Sequence, residues 1–153
     1  NQIVGDMAVQ GILPAVGWMR PATNGTWTTV ARQVYTGQGT SNIIVSVPNV
    51  NCHARGGTGS TTGGYFEYRI LVNGNVICNE RIDGGTNAPA GQFSENSGTA
   101  KTTMGGAIKL NNVTGATIEL QIFGAGYVGS YPTTRVDAVP VIVNVMYRNA
   151  FTD

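Results

Sequence analysis

Charged side chains are scarce in this chain. They make up 11% of its 153 residues, against roughly 25% in ordinary soluble proteins. The 9 Lys+Arg and 8 Asp+Glu leave a formal net charge of +1, which provides no electrostatic reason to bind nucleic acid. No stretch approaches the ~18 consecutive apolar residues of a membrane-spanning helix, so membrane insertion is not expected. Leucine is scarce, lysine occurs only as Lys101 and Lys109, and Gly or Pro interrupts nearly every long window. That leaves little room for helices of about ten residues or more. Histidine occurs once, at His53, which rules out a multi-histidine zinc site within one chain. No Gly-x-Ser-x-Gly elbow is present. The run Gly57-Thr-Gly-Ser-Thr-Thr-Gly-Gly64 lacks the lysine and following helix of a phosphate loop. The expectation is therefore a non-enzymatic protein with no catalytic residues, no metal and no cofactor.

What is abundant is small and polar. The chain has 22 Gly, 18 Thr and 14 Asn, with 41% hydrophobic residues. It is too apolar and too weakly charged for an extended disordered segment. Its length suits one domain with its own core, read here as a single β-sandwich domain over 1–153. The first residue is Asn, with no basic start and no apolar signal core after it. We expect a processed chain, or a piece of a longer one, and the Gln/Gly/Thr/Asn-rich, Lys-poor composition suits a surface or extracellular protein.

Period-two alternation replaces helical spacing. Phe66, Tyr68, Ile70 and Val72 share one face of the segment 65–72, and Glu67 and Arg69 share the other. The segment ends in Asn73-Gly74, a type I′ hairpin signal, and 75–82 returns as its partner. Further strands are expected at 27–35, 42–47, 107–110, 116–123 and 139–148. The last carries Val141, Val143, Val145 and Tyr147 on one face and a mixed set (Ile142, Asn144, Met146, Arg148) on the other. We expect it to be central and covered on both sides. Many short strands without helices fit a two-sheet sandwich or a barrel. The irregular connections favour an antiparallel jelly-roll sandwich. The longest connection, 83–106, is either a functional loop or a loop holding one more short strand near 92–94.

The order of these segments carries a resemblance. A strand ends in Asn73-Gly74, a Gly-rich connection leads to Gly106-Ala-Ile-Lys-Leu110, and Gly115-Ala-Thr-Ile-Glu-Leu-Gln-Ile-Phe123 follows a turn. A Gly/Tyr loop (Gly124 to Tyr131) and a final apolar strand close the pattern. Over about 42–148 this resembles the tumour-necrosis-factor and complement-type heads, including the jelly-roll tips of viral and bacteriophage fibres. Asp137-Ala-Val-Pro140 stands where complement-type heads carry Phe-Ser-Gly, and no collagen-like stalk is present. The resemblance implies a tumour-necrosis-factor-like fold, a homotrimer packed about a three-fold axis, and a C-terminal head of a longer chain placed on a virion surface or outside the cell. The apolar surface offered by Phe66, Tyr68, Phe123, Tyr147 and the mixed face of the last strand is compatible with such packing.

Two cysteines, Cys52 and Cys78, raise the question of a bridge. If 42–52, 65–72 and 75–82 form a meander, they lie two strands apart, roughly 9–10 Å. A disulfide needs Cα atoms within about 7 Å, so two free, mostly buried thiols are expected. A bridge would need adjacent strands or facing sheets.

Candidate ligand-binding residues come from the connections. Tyr127, Tyr131, Arg135 and Asp137 precede the last strand, where aromatic faces can stack on sugar rings and charged groups can bond hydroxyls. His53 and Arg55 run from a strand into the Gly-rich loop, where they can meet an acidic sugar or another carboxylate. Trp18 and Trp27 flank a turn and form either a sugar platform or core. The expected function is a receptor- or glycan-binding head of a trimeric fibre or adhesin, acting on a cell-surface glycan or protein. The alternatives are a structural capsid or decoration protein, and a carbohydrate-binding module of an enzyme.

Overall fold

The computed structural model describes residues 7–21, 23–56, 64–85, 93, 99–126 and 132–148. They form eight β-strands and no helix. In chain order these are β1 (Met7–Leu13), β2 (Val16–Met19), β3 (Thr28–Arg55), β4 (Tyr65–Val72), β5 (Asn75–Asp83), β6 (Thr99–Ala125), β7 (Thr133–Val136) and β8 (Val139–Arg148). All pairings between named strands are antiparallel.

Two strands organise the rest. β3 has 28 residues and β6 has 27. A straight 28-residue strand would reach roughly 90 Å at ~3.3 Å per residue, several times the ~15 Å radius of gyration of a domain this size. It must bend, and its register with β6 shifts between Thr29/Ala31, Thr36/Ser41, Ser41/Ile43 and Val47/Val50. Such bulges bend a strand without ending it. Gly39 (φ 87) and Asn112 (φ 55) adopt the left-handed backbone at the middle bend. Pro48 falls within the last bulge, where a missing N–H does not break the ladder.

Bending gives each long strand arms in two layers. The first arm of β3 (28–36) pairs with 115–122 of β6, which pairs in turn with β4 and then β5. The middle of β3 (41–47) pairs with 106–113 of β6 on one side and β8, then β1, on the other. The last arm of β3 (50–55) pairs with 99–104 of β6 and with β7, which carries β2. The two halves face each other: the Tyr68 hydroxyl on β4 lies 2.5 Å from Thr134 Oγ1 on β7. Between them sits one core. Phe66, Tyr68, Ile70 and Val72 of β4 meet Ile43, Val45 and Val47 of β3, Ile118, Leu120 and Ile122 of β6, and Val141, Val143 and Val145 of β8. The arrangement is all-β and antiparallel, consistent with a β-sandwich.

The alternation read from 65–72 is correct: Phe66, Tyr68, Ile70 and Val72 are fully buried. The hairpin is present too, with Asn73 at φ 49 and Gly74 at φ 82. Its tip is stitched to β6, because Asn73 N–H donates to the Thr117 carbonyl and Thr117 N–H donates to Asn73 Oδ1.

Other expectations are corrected. Segments 27–35 and 42–47 are arms of one strand, as are 107–110 and 116–123, because bulges carry the ladder through residues that otherwise read as breaks. The meander is absent: β6 lies between β3 and β4. Strand pairing resumes at Thr99, not at 106, and Phe93 forms a single parallel bridge with Gly84 while packing 5.5 Å from the Phe66 ring. β8 is internal to the sheet, but its mixed face is not sealed within one chain, since Met146 is 42% exposed. Phe66 and Tyr68 face the core and offer no spare surface, and Phe123 packs beside Trp27 and Tyr65.

Cys52 and Cys78 are both free. Burial pushes the Cys52 thiol far above its ordinary pKa, and nearby Cys78 adds to the effect. Burial also raises Cys78, opposed by a backbone hydrogen bond at Ile70.

Layer closure depends on a close backbone approach. A Cβ added to Gly106 on β6 would stand 2.4 Å from the Ile77 carbonyl oxygen on β5. Gly106→Ala is expected to destabilise the chain by about 1–3 kcal/mol in urea unfolding. Gly17→Ala, with nothing within 4 Å of the added carbon, should stay within about 0.5 kcal/mol; equal effects would contradict the packing described. Native chain at neutral pH should resist a thiolate-specific reagent and reveal two thiols once unfolded. Rapid labelling of Cys52 in the folded chain would contradict its burial; Cys78 is half-buried, and its resistance rests on its raised pKa.

Candidate functional site

Alternation places the site residues. At the end of β3, Cys52 and Ala54 point into the core, which turns His53 and Arg55 outward. On β7, Thr134 and Val136 point inward, which turns Thr133 and Arg135 outward, and Asp137 follows. The antiparallel register sets His53 directly against Arg135, and Arg55 against Thr133. On the other side of β3, Lys101 of β6 is the register partner of His53. β2 lies beyond β7 and supplies Trp18.

The Asp137 carboxylate is shared. Its Oδ2 accepts from His53 Nε2–H at 3.0 Å, and its Oδ1 accepts from an Arg135 guanidinium N–H at 2.7 Å. The Asp137 backbone N–H donates to the Asn51 carbonyl at 3.0 Å, which holds the residue against β3. The His53 hydrogen bond lowers the Asp137 pKa most. Partial desolvation opposes it, and the charges on His53, Arg135 and Lys101 add to the lowering.

Trp18 is half-buried, and guanidinium groups approach its ring. The Arg55 carbon lies 4.0 Å from the ring centroid and that of Arg135 5.4 Å, within cation–π range. Arg55 Nε also donates to Thr133 Oγ1 at 3.1 Å. Below the surface, the Thr134 hydroxyl donates to the His53 carbonyl at 2.6 Å. A hydroxyl has one proton, so the Tyr68 hydroxyl must be the donor in its contact with Thr134 Oγ1. Buried Tyr68 thus braces the strand segment that carries His53.

Arg135 and Lys101 act on one carboxylate, both of whose oxygens are already engaged, and Arg55 lies beside them on Trp18 and Thr133. Among the described residues no carboxylate pairs with Arg55 or Lys101. The arrangement suits an incoming anion, which guanidinium groups can bind through paired N–H donors, with Trp18 alongside for an apolar face.

Of the six residues singled out from the sequence, the structure brings four together: His53, Arg55, Arg135 and Asp137. Tyr127 and Tyr131 lie outside the described residues. Trp18 joins the cluster. Trp27 does not: it packs on Phe123 at 5.3 Å in the other layer, with the Arg69 guanidinium 4.0 Å from its ring. Sequence reading missed Lys101, Thr133, Thr134 and Tyr68. The available signal was the alternation at 53/55 and at 135/137, which places each pair on one face. Among the described residues, no group of three or more His, Cys, Asp or Glu is placed to hold a metal ion.

No family model and no curated protein matches the chain. Among solved structures it is similar to a chain of the infectious bursal disease virus, Gx strain, with a TM-score of 0.37 and 10% identity. That match covers 97% of this chain and 38% of the viral one, so the chain spans well under half the length of the protein it is compared with.

The lowered Asp137 pKa has a signed consequence. Its stabilising contribution is complete above the usual carboxylate range and is lost as pH falls through the lowered value. The stability gap between the native chain and Asp137→Asn, measured by urea unfolding, should be widest near neutrality and narrow in acid. A gap that widens on acidification would contradict the geometry.

Proposed function

We propose that this chain is a non-enzymatic binding head of the fibre or adhesin type, displayed on a virion or outside a cell. It recognises an acidic glycan through Arg55, Arg135, Lys101 and Trp18, with His53 and Asp137 holding Arg135 in place. The observation that carries this reading is the pair of guanidinium groups, Arg55 and Arg135, on Trp18, with Lys101 in register with His53, in a chain otherwise poor in charge. A carboxylate-bearing sugar would pair its anion with the guanidinium groups and lay its C–H face near the indole.

We read the fold as a tumour-necrosis-factor-like jelly roll. Leaving aside the last arm of β3 (50–55) with its partners 99–104, β7 and β2, the remaining arms give two four-stranded layers. One runs β3 (28–36), β6 (115–125), β4, β5; the other runs β1, β8, β3 (41–47), β6 (106–113). Such interleaving of distant segments supports the double Greek key of a jelly roll. The proposed assembly is a homotrimer through the outward face of the second layer. Ile12 is 68% exposed and Met146 42%, and Ile44 and Ile142 lie half-buried beside them. Three weak sites on one rigid head then act by avidity.

Binding to sialylated or uronic-acid glycans on an array is the test. Arg55→Ala and Arg135→Ala should each weaken it about tenfold or more, and added salt should weaken it further. Binding that survives both substitutions would refute the site. The mass in solution should be near three times 16.0 kDa, falling to one unit in Met146→Glu; a monomeric native chain would refute the assembly.

A further inference from the structure

Away from the β7 cluster, the sandwich has an open seam. The first arm of β3 is an edge of one layer and β1 is an edge of the other. Between these edges lies a cleft of about 390 Å³, within the roughly 300–1,000 Å³ of small-ligand sites. Gln10, Gln33, Gln38 and Tyr35 furnish its polar groups, and Ile118 and Val143 belong to its apolar wall. No charged side chain lines it among the described residues.

One atom in the seam lacks a partner. Gln33 Oε1 is buried and accepts no hydrogen bond. A buried acceptor left unpaired costs about 1–3 kcal/mol, so a turn of the Gln33 amide that brings Oε1 to a ligand donor in the cleft is favoured. The Gln33 amide lies directly over the β1 backbone: a Cβ added to Gly11 would stand 1.7 Å from Gln33 Nε2. Gly11 is therefore what lets the carboxamide occupy the wall of the cleft.

From this geometry we propose that the seam is a second binding site, specific for a neutral sugar ring of hexose size. Carboxamides both donate and accept, as sugar hydroxyls do, so three glutamines and a tyrosine hydroxyl match a polyol. The apolar wall and the Tyr35 ring accept the C–H face of a pyranose. An ion would enter without a countercharge, at a high desolvation cost. This site is independent of the cationic cluster in residues, in layer edges and in ligand charge.

Side-chain amide resonances of the full chain provide the readout, with methyl glycosides of glucose, galactose and mannose as neutral probes and sialyllactose as the charged one. Saturable shifts of the Gln33 and Gln10 amides are expected with at least one neutral glycoside, leaving the Trp18 indole unmoved. Gln33→Leu should weaken that binding about tenfold, the equivalent of one hydrogen bond. Gly11→Ala, which drives the Gln33 amide into the cleft, should weaken it comparably. The proposal is overturned if no neutral glycoside moves these amides at high millimolar concentration, or if Gln33→Leu and Gly11→Ala both bind as the native chain does. Seam shifts that rise with protein concentration in the absence of sugar would also overturn it, assigning the cleft to a second copy. Loss of the sialyllactose response at Trp18 alone bears on the cationic site and leaves this one standing.

Discussion

Continuous hydrogen bonding between β3 and β6 is the constraint on which the molecule depends. These two strands pair from Arg55–Thr99 at one end to Thr28–Ile122 at the other. Every other strand attaches directly or indirectly to one of them. Because the pair is too long to lie straight in a small domain, it bends at bulges, and bending supplies both layers from one ladder. Core, seam and cationic cluster all follow from where those bends fall. The cluster sits on the last arm of β3, where β7 pairs on one side and β6 on the other. The seam opens beside the first arm, where β3 has no second partner.

Much of the fold was legible in the sequence because alternation is a local signal. The faces of β4 and the Asn73-Gly74 turn were fixed by side-chain period and by tolerance of positive φ. Continuity was not legible. Gly37, Gly39 and Pro48 punctuate a chain in most settings, and only the partner strand reveals that they sit in bulges. β1, β2 and β7 went unseen because short strands flanked by Pro and Gly carry too little period to register. The cysteine expectation reached the right state through a wrong neighbour relation, since β6 separates the strands assumed to be adjacent.

The candidate site shows the same division. His53, Arg55, Arg135 and Asp137 drew attention as uncommon charges in a weakly charged chain. Their meeting depends on a register between segments more than 75 residues apart, which no local pattern encodes. Lys101 and Thr133 enter through that register alone. Tyr68 read from the sequence as apolar surface that a second copy could cover; it lies in the core instead, and its hydroxyl supports Thr134 and through it the His53 backbone. Buried polar pairs of this kind join the interior to the surface without any sequence motif.

The β3–β6 ladder also bears on how the domain would respond to force. Strands that overlap side by side along their length resist tension on opposite ends in shear, with many hydrogen bonds strained together instead of parting one after another. A tether entering through one of these strands would therefore meet a stiff mechanical clamp. The short β2–β7 pair, with only two aligned positions, would peel first.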